Sequence, residues 1–125
     1  MVKTLVSIIV AALVIVGGGI AENAYLSATF DGLTDVYEEI YHSSEQEKCT
    51  VGQAESAKKA WFDKKKTLHA LIPHTEIKEV DLWVYELTEY VRQGNFKEAS
   101  AKAYVILELF DKIPKTFSIS LENLL

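Results

Sequence analysis

The chain has 125 residues, enough for one small domain and too few for two. Thirteen basic residues stand against eighteen acidic ones, a net charge of −5, which lacks the basic footprint that nucleic-acid binding requires. Its single cysteine, Cys49, excludes an internal disulfide framework.

Thr4 to Ala21 are eighteen residues without a charge, and Leu5–Val16 within them is almost wholly aliphatic. At ~1.5 Å per helical residue that run reaches roughly 27 Å, just short of a ~30 Å hydrocarbon core. Lys3, Thr4 and Tyr25 cover the shortfall at the two interfaces. Residues 1–24 are therefore read as a membrane anchor through which the chain contacts lipid, and residues 25–125 as a helical domain outside the bilayer. A cleaved signal peptide is the alternative, with Lys3 as its basic start and Gly19-Ile20-Ala21 as a small-residue cleavage site near Ala21. No cysteine follows the run, so a lipoprotein anchor is excluded. The lone basic flank at Lys3 sets orientation, because acidic residues contribute little to topology. The expected topology is single-pass with a cytoplasmic N-terminus, and both readings place the following hundred residues on the extracytoplasmic side.

Beyond the run, apolar residues recur with helical period. Leu26, Phe30, Leu33, Tyr37 and Ile40 form one stripe, so an uncleaved segment would be one rod from Lys3 to about His42. A polar stretch to Cys49 follows. Thr50-Val51-Gly52-Gln53 has the form of a capping box and starts a second helix near Val51. Its stripe is Ala54, Ala57, Trp61, Leu68 and Leu71, interrupted at Lys64, and Pro73 is expected to stop it. A third helix opens near Thr75, buries Ile77, Val80, Val84, Leu87 and Val91, and closes at Gly94. Asn95-Phe96-Lys97-Glu98 then caps a fourth, with stripe Phe96, Ala99, Ala103, Ile106, Phe110 and Ile113, ended by Pro114. Ser120 is placed to cap a last short turn through Leu125. The fold class is all-α: a transmembrane helix followed by a small antiparallel bundle of about four helices, two αα-hairpins.

Charge supports pairing of the first two helices of the bundle. Residues 22–47 hold seven acids and no base, whereas residues 48–66 hold six lysines against Glu55 and Asp63. A turn near residue 48 places Asp31 opposite Lys65 and Glu38 opposite Lys58. A second role for the lysines follows from the anchor: the second helix returns toward the bilayer and brings Lys64, Lys65 and Lys66 near anionic headgroups.

Signatures of chemistry are missing. The chain has no Gly-x-Ser-x-Gly, no visible cysteine–histidine arrangement, and no glycine-rich phosphate loop between a strand and a helix. His69 and His74 lie five apart across Pro73, which is not the same-face spacing of a helical ligand pair. No catalytic residue, metal or cofactor is expected. Trp61, Phe62, Trp83, Tyr85, Tyr90 and Tyr104 are core residues or a groove lining; Trp83 and Tyr90, seven apart and beside the main stripe, are the candidates for a partner-binding strip. Cys49 is an incidental loop thiol or an intermolecular disulfide.

Pro73-His74-Thr75-Glu76-Ile77 through Asp81, then Gly94-Asn95-Phe96 with Ala99, then Ile113-Pro114 and Ser120-Leu121-Glu122-Asn123-Leu124, form a series in fixed order. In that order they resemble domain-of-unknown-function family 4363, small bacterial proteins with an N-terminal hydrophobic segment. The resemblance covers residues 60–125. It implies a retained anchor and an all-helical domain, and it implies no activity, cofactor or substrate. The function expected is that of a protein-interaction or scaffolding module beside an unknown membrane or envelope protein. The alternative is an extracytoplasmic domain that binds a small ligand in a groove between the hairpins.

Overall fold

A computed structural model describes residues 1–117, and four α-helices account for nearly all of them: α1 Val2–Glu45, α2 Val51–Leu68, α3 His74–Arg92 and α4 Phe96–Phe117. No strand occurs among the described residues. The cap expected at Ser120 lies outside them.

Four helix boundaries have a clear local cause. At α2, Gln53 N–H donates to Thr50 Oγ1 at 3.1 Å while Thr50 N–H donates to Gln53 Oε1 at 2.9 Å, a complete capping box. At α4, Glu98 N–H donates to Asn95 Oδ1 at 3.3 Å. The ends of α1 and α3 share one device. Lys48 N–H returns to the Ser43 carbonyl at 2.8 Å and Glu47 N–H to Ser44 at 3.0 Å; Asn95 N–H returns to Tyr90 at 2.9 Å and Gly94 N–H to Val91 at 3.0 Å. Both are Schellman closures, which require a left-handed residue at their centre. Gly94 supplies it at φ 69° without strain, whereas Glu47 adopts φ 58° with a side chain in the way.

Two ends differ from the sequence reading. Helix α2 stops at Leu68, five residues before Pro73, because the chain tightens there: Leu71 N–H and Ile72 N–H both return to the Leu68 carbonyl at 2.9 Å. That turn drives Ile72 into the core and leaves Leu71 only half-buried. Pro114 does not end α4, which runs on to Phe117. Proline removes one backbone donor from the helix. Packing on both sides outweighs the loss, since Ile113 is buried and Phe117 lies against the core.

The helices run alternately up and down around a ring in which α1 touches α2 and α4, and α3 touches the same two. The most extensive seam joins the first helix to the last, and α1–α2 is the slightest of the four. Large rings explain the difference. Phe110 of α4 meets Phe30 and Tyr37 of α1 at centroid distances of 5.6 and 5.3 Å, and Trp61 of α2 at 5.8 Å. Such pairs add about 0.5–1.5 kcal/mol each beyond their buried area. Tyr37 is fully buried and donates its hydroxyl to the Ala57 carbonyl at 2.8 Å; burial pushes its phenol well above the usual range. Facing α2, by contrast, α1 offers Ala28 and Gly32, and α2 replies with Ala60, leaving an open groove of about 600 Å³.

Candidate functional site

Helix α1 is longer than the bundle it belongs to. Its 44 residues span about 66 Å. The core it shares with the other helices begins at Leu26, so most of the apolar run projects beyond the bundle. Leu5, Ile8, Leu13, Val14, Ile15 and Ile20 are each more than half exposed. Only 6% of the most apolar eighteen-residue window is buried, which a core helix of a soluble protein would not tolerate. This is one helix long and apolar enough to cross a membrane. The end of the bundle from which it leaves is the candidate site.

Four elements meet at that end: α1 near Tyr25, the last turn of α2, the first turn of α3, and α4 near Pro114 and Lys115, which share a groove with Ser27 of α1. The hydroxyl groups of Tyr25 and Thr67 are in contact. Thr67 donates to the Lys64 carbonyl at 3.0 Å, so Tyr25 is the donor between the two hydroxyls. This ties the end of α2 to α1 one helical turn beyond Ala21, the last residue of the apolar run. The two contacts Tyr25–Thr67 and Tyr37–Ala57 set α1 and α2 antiparallel, within about a turn of the register expected from charge.

The expected charge pairs do not form across that seam. Lys65 Nζ lies 3.0 Å from Asp81 Oδ2 on α3 and 4.1 Å from the Phe62 ring centre. Lys58 pairs with Glu55 on its own helix at 3.1 Å and lies over the Tyr85 ring of α3 at 5.7 Å. The reason is rotational: Lys58, Phe62 and Lys65, spaced four and three apart, share the flank of α2 that faces α3 rather than α1. Asp81 is the hinge of this arrangement, because its other oxygen accepts the Trp61 indole N–H at 2.7 Å.

The three candidate lysines are thereby divided. Lys64 and Lys66 are exposed at the end from which the apolar run emerges, whereas Lys65 is half-buried and engaged with Asp81. Trp83 and Tyr90 do share a face, but Lys102 of α4 covers them, its Nζ 4.9 and 5.7 Å from the two ring centres and 3.8 Å from Glu86 Oε2. Among the described residues of the bundle, the most exposed large apolar side chains lie elsewhere, at Leu82, Tyr85 and Tyr104. Leu82 was missed by sequence reasoning because it stands one residue from Trp83 and outside every apolar stripe. Cys49 is buried in the α1–α2 turn, with its thiol 3.7 Å from the Thr50 carbonyl.

His69 closes α2 and His74 opens α3, and the turn between them brings their rings to a centroid distance of 5.4 Å. Spacing along the chain gave no sign of this, since the two sit on different helices. No group of three or more histidine, cysteine, aspartate or glutamate side chains able to hold a metal occurs among the described residues. The seam between the hairpins carries an open groove of about 460 Å³ rimmed by Asp31, Glu38, Asp111 and Lys115.

No curated protein and no solved structure matches the chain. A family model described as "Domain of unknown function (DUF4363)" matches residues 20–124. The matched region starts at the bundle end of the apolar run and contains all four of the bundle's helical segments. Among the residues that carried the resemblance, Asp81 joins α2 to α3, Gly94 closes α3, Asn95 caps α4, and Ala99 and Ile113 are buried in the core. With a match over that length, the chain belongs to the DUF4363 family of unknown function.

Proposed function

We propose that the protein is a single-pass, membrane-anchored interaction module without catalytic activity, its N-terminus cytoplasmic and its helical domain on the extracytoplasmic face. The observation that carries this reading is the continuity of α1, which passes from an exposed apolar run into the bundle core without a break. A domain fused rigidly to its anchor is held at a fixed height and orientation, which suits a scaffold that meets a neighbouring membrane protein. Lys64 and Lys66, pinned at the anchor end by the Tyr25–Thr67 contact, face the level of the headgroups and attract anionic lipid. Lys65 is not part of that patch because Asp81 holds it. The sealed aromatic core favours interaction through the surface over a ligand held inside the bundle.

Crosslinking in native membranes followed by mass spectrometry tests the module: a recurrent membrane or envelope partner is expected, and recovery of none counts against it. The N-terminal residue of the mature protein tests the anchor, Met1 for a retained span and Glu22 for cleavage. Energy transfer from a label at Ala70 to acceptor lipid, in full chain reconstituted into anionic nanodiscs, tests the lysines. The distance should lengthen in Lys64→Gln/Lys66→Gln and in high salt; an unchanged distance would remove the patch from the proposal.

A further inference from the structure

We propose that His69 and His74 form a two-histidine clip for a borderline divalent metal ion such as Zn²⁺ or Ni²⁺. This inference is independent of the membrane reading. It rests first on the distance between the rings. A metal–nitrogen bond of about 2.0–2.1 Å puts each ring centre about 3.2 Å from the ion, and a near-tetrahedral angle then separates the centres by about 5.2 Å. The observed separation is 5.4 Å. The terminal torsion of histidine is broad, and its axis runs close to the ring centre. Rotation there turns the ring nitrogens without moving the centre, so a separation of this size is the one that a shared ion requires.

The backbone fixes where the two side chains start, and the observed rotamers carry the rings to that separation. His69 N–H is bonded to the Lys65 carbonyl at 3.1 Å, and Leu71 and Ile72 return to Leu68 at 2.9 Å. Buried Leu68 and Ile72 fasten the turn from below, and Pro73 leads directly into α3. Both imidazoles stand exposed on this turn, so neither helix must open to admit an ion.

The surroundings select the class of ion. Lys66 precedes His69 by three residues, Lys78 follows His74 by four, and Glu76 is the acid nearest in sequence. Hard cations such as Ca²⁺ and Mg²⁺ depend on several oxygen donors, which two imidazoles do not supply. Zn²⁺ and Ni²⁺ take imidazole nitrogen readily. Two protein ligands leave the remaining positions to water or to an oxygen donor from outside the chain.

Calorimetric titration of the full chain in detergent with Zn²⁺, and separately with Ca²⁺ and Mg²⁺, tests the clip. One Zn²⁺ per chain is expected, weakening at acid pH because protonated imidazole does not coordinate. His69→Ala and His74→Ala should each lower the affinity roughly tenfold or more, since one imidazole cannot chelate. His42→Ala should leave it unchanged, because His42 lies at the other end of the bundle beside Glu45. His69→Gln and His74→Gln, with folding checked by circular dichroism, serve if an alanine variant unfolds. Absence of Zn²⁺ binding, wild-type affinity in the double variant, an equal effect of His42→Ala, or Ca²⁺ binding of similar strength would each overturn the assignment.

Discussion

Up to Ala21, α1 turns apolar side chains in every direction; from Leu26 onward it confines them to one stripe and gives the rest of its surface to Asp31, Asp35, Glu38 and Glu39. The backbone does not register the change, since one helix runs through both parts. A helix that is apolar all round needs an apolar solvent, and one with a stripe needs a partner surface. One continuous helix thus carries two kinds of surface, and its two halves should fail independently.

The largest expected effect strikes the bundle half alone. Phe110→Ala removes the ring on which Phe30, Tyr37 and Trp61 converge and should destabilise the bundle by about 3–5 kcal/mol. Thermal unfolding followed by near-ultraviolet circular dichroism would read this loss, with membrane fractionation unchanged. If fractionation shifted as well, the two halves would not be independent. The converse experiment is Leu13→Arg, at the middle of the apolar run, where a charge costs about 2.5–3.5 kcal/mol on insertion. It should shift protein out of the membrane fraction and leave the melting temperature of the bundle unaltered.

A third test sharpens the bundle's own account by comparing its two Schellman turns. Glu47→Gly gives the α1 closure the residue that α3 already has in Gly94, and should stabilise by about 1 kcal/mol, raising the melting temperature by roughly 4 °C. An unchanged midpoint would mean that Glu47 sits in its turn without strain. The smallest effect is expected from Glu55, an exposed carboxylate whose pKa is held below the ordinary glutamate range, chiefly by its hydrogen bond to Lys58 and further by Arg92. Its pKa is lowered on folding, so its contribution is present above the unfolded value and is lost as pH falls through the folded one. Stability of Glu55→Gln and wild type should therefore converge on acidification and part slightly at neutral pH.

Helix identities and the core were legible because period and caps are local properties. Thr50 with Gln53, Gly94 as a left-handed residue, and the stripe from Ile77 to Val91 all lie where local spacing placed them. The end of α2 at Leu68 and the continuation of α4 past Pro114 were not legible. Prolines suggested other stops, and Ile72 and Phe117 override them by packing against residues far away in the chain. The candidate site was legible in part. Lys64 and Lys66 fall where an antiparallel return puts them, whereas the loss of Lys65 to Asp81 depends on α2's rotation toward α3.

An apolar helix with a lone basic flank, four helical stripes and a family are all written in residue order. Tertiary structure alone decided that the first and last helices share the largest seam, that Lys102 covers Trp83 and Tyr90, and that two histidines five residues apart stand ring to ring. These are meetings between separate helices, fixed by the angle at which each turns its stripe to the core.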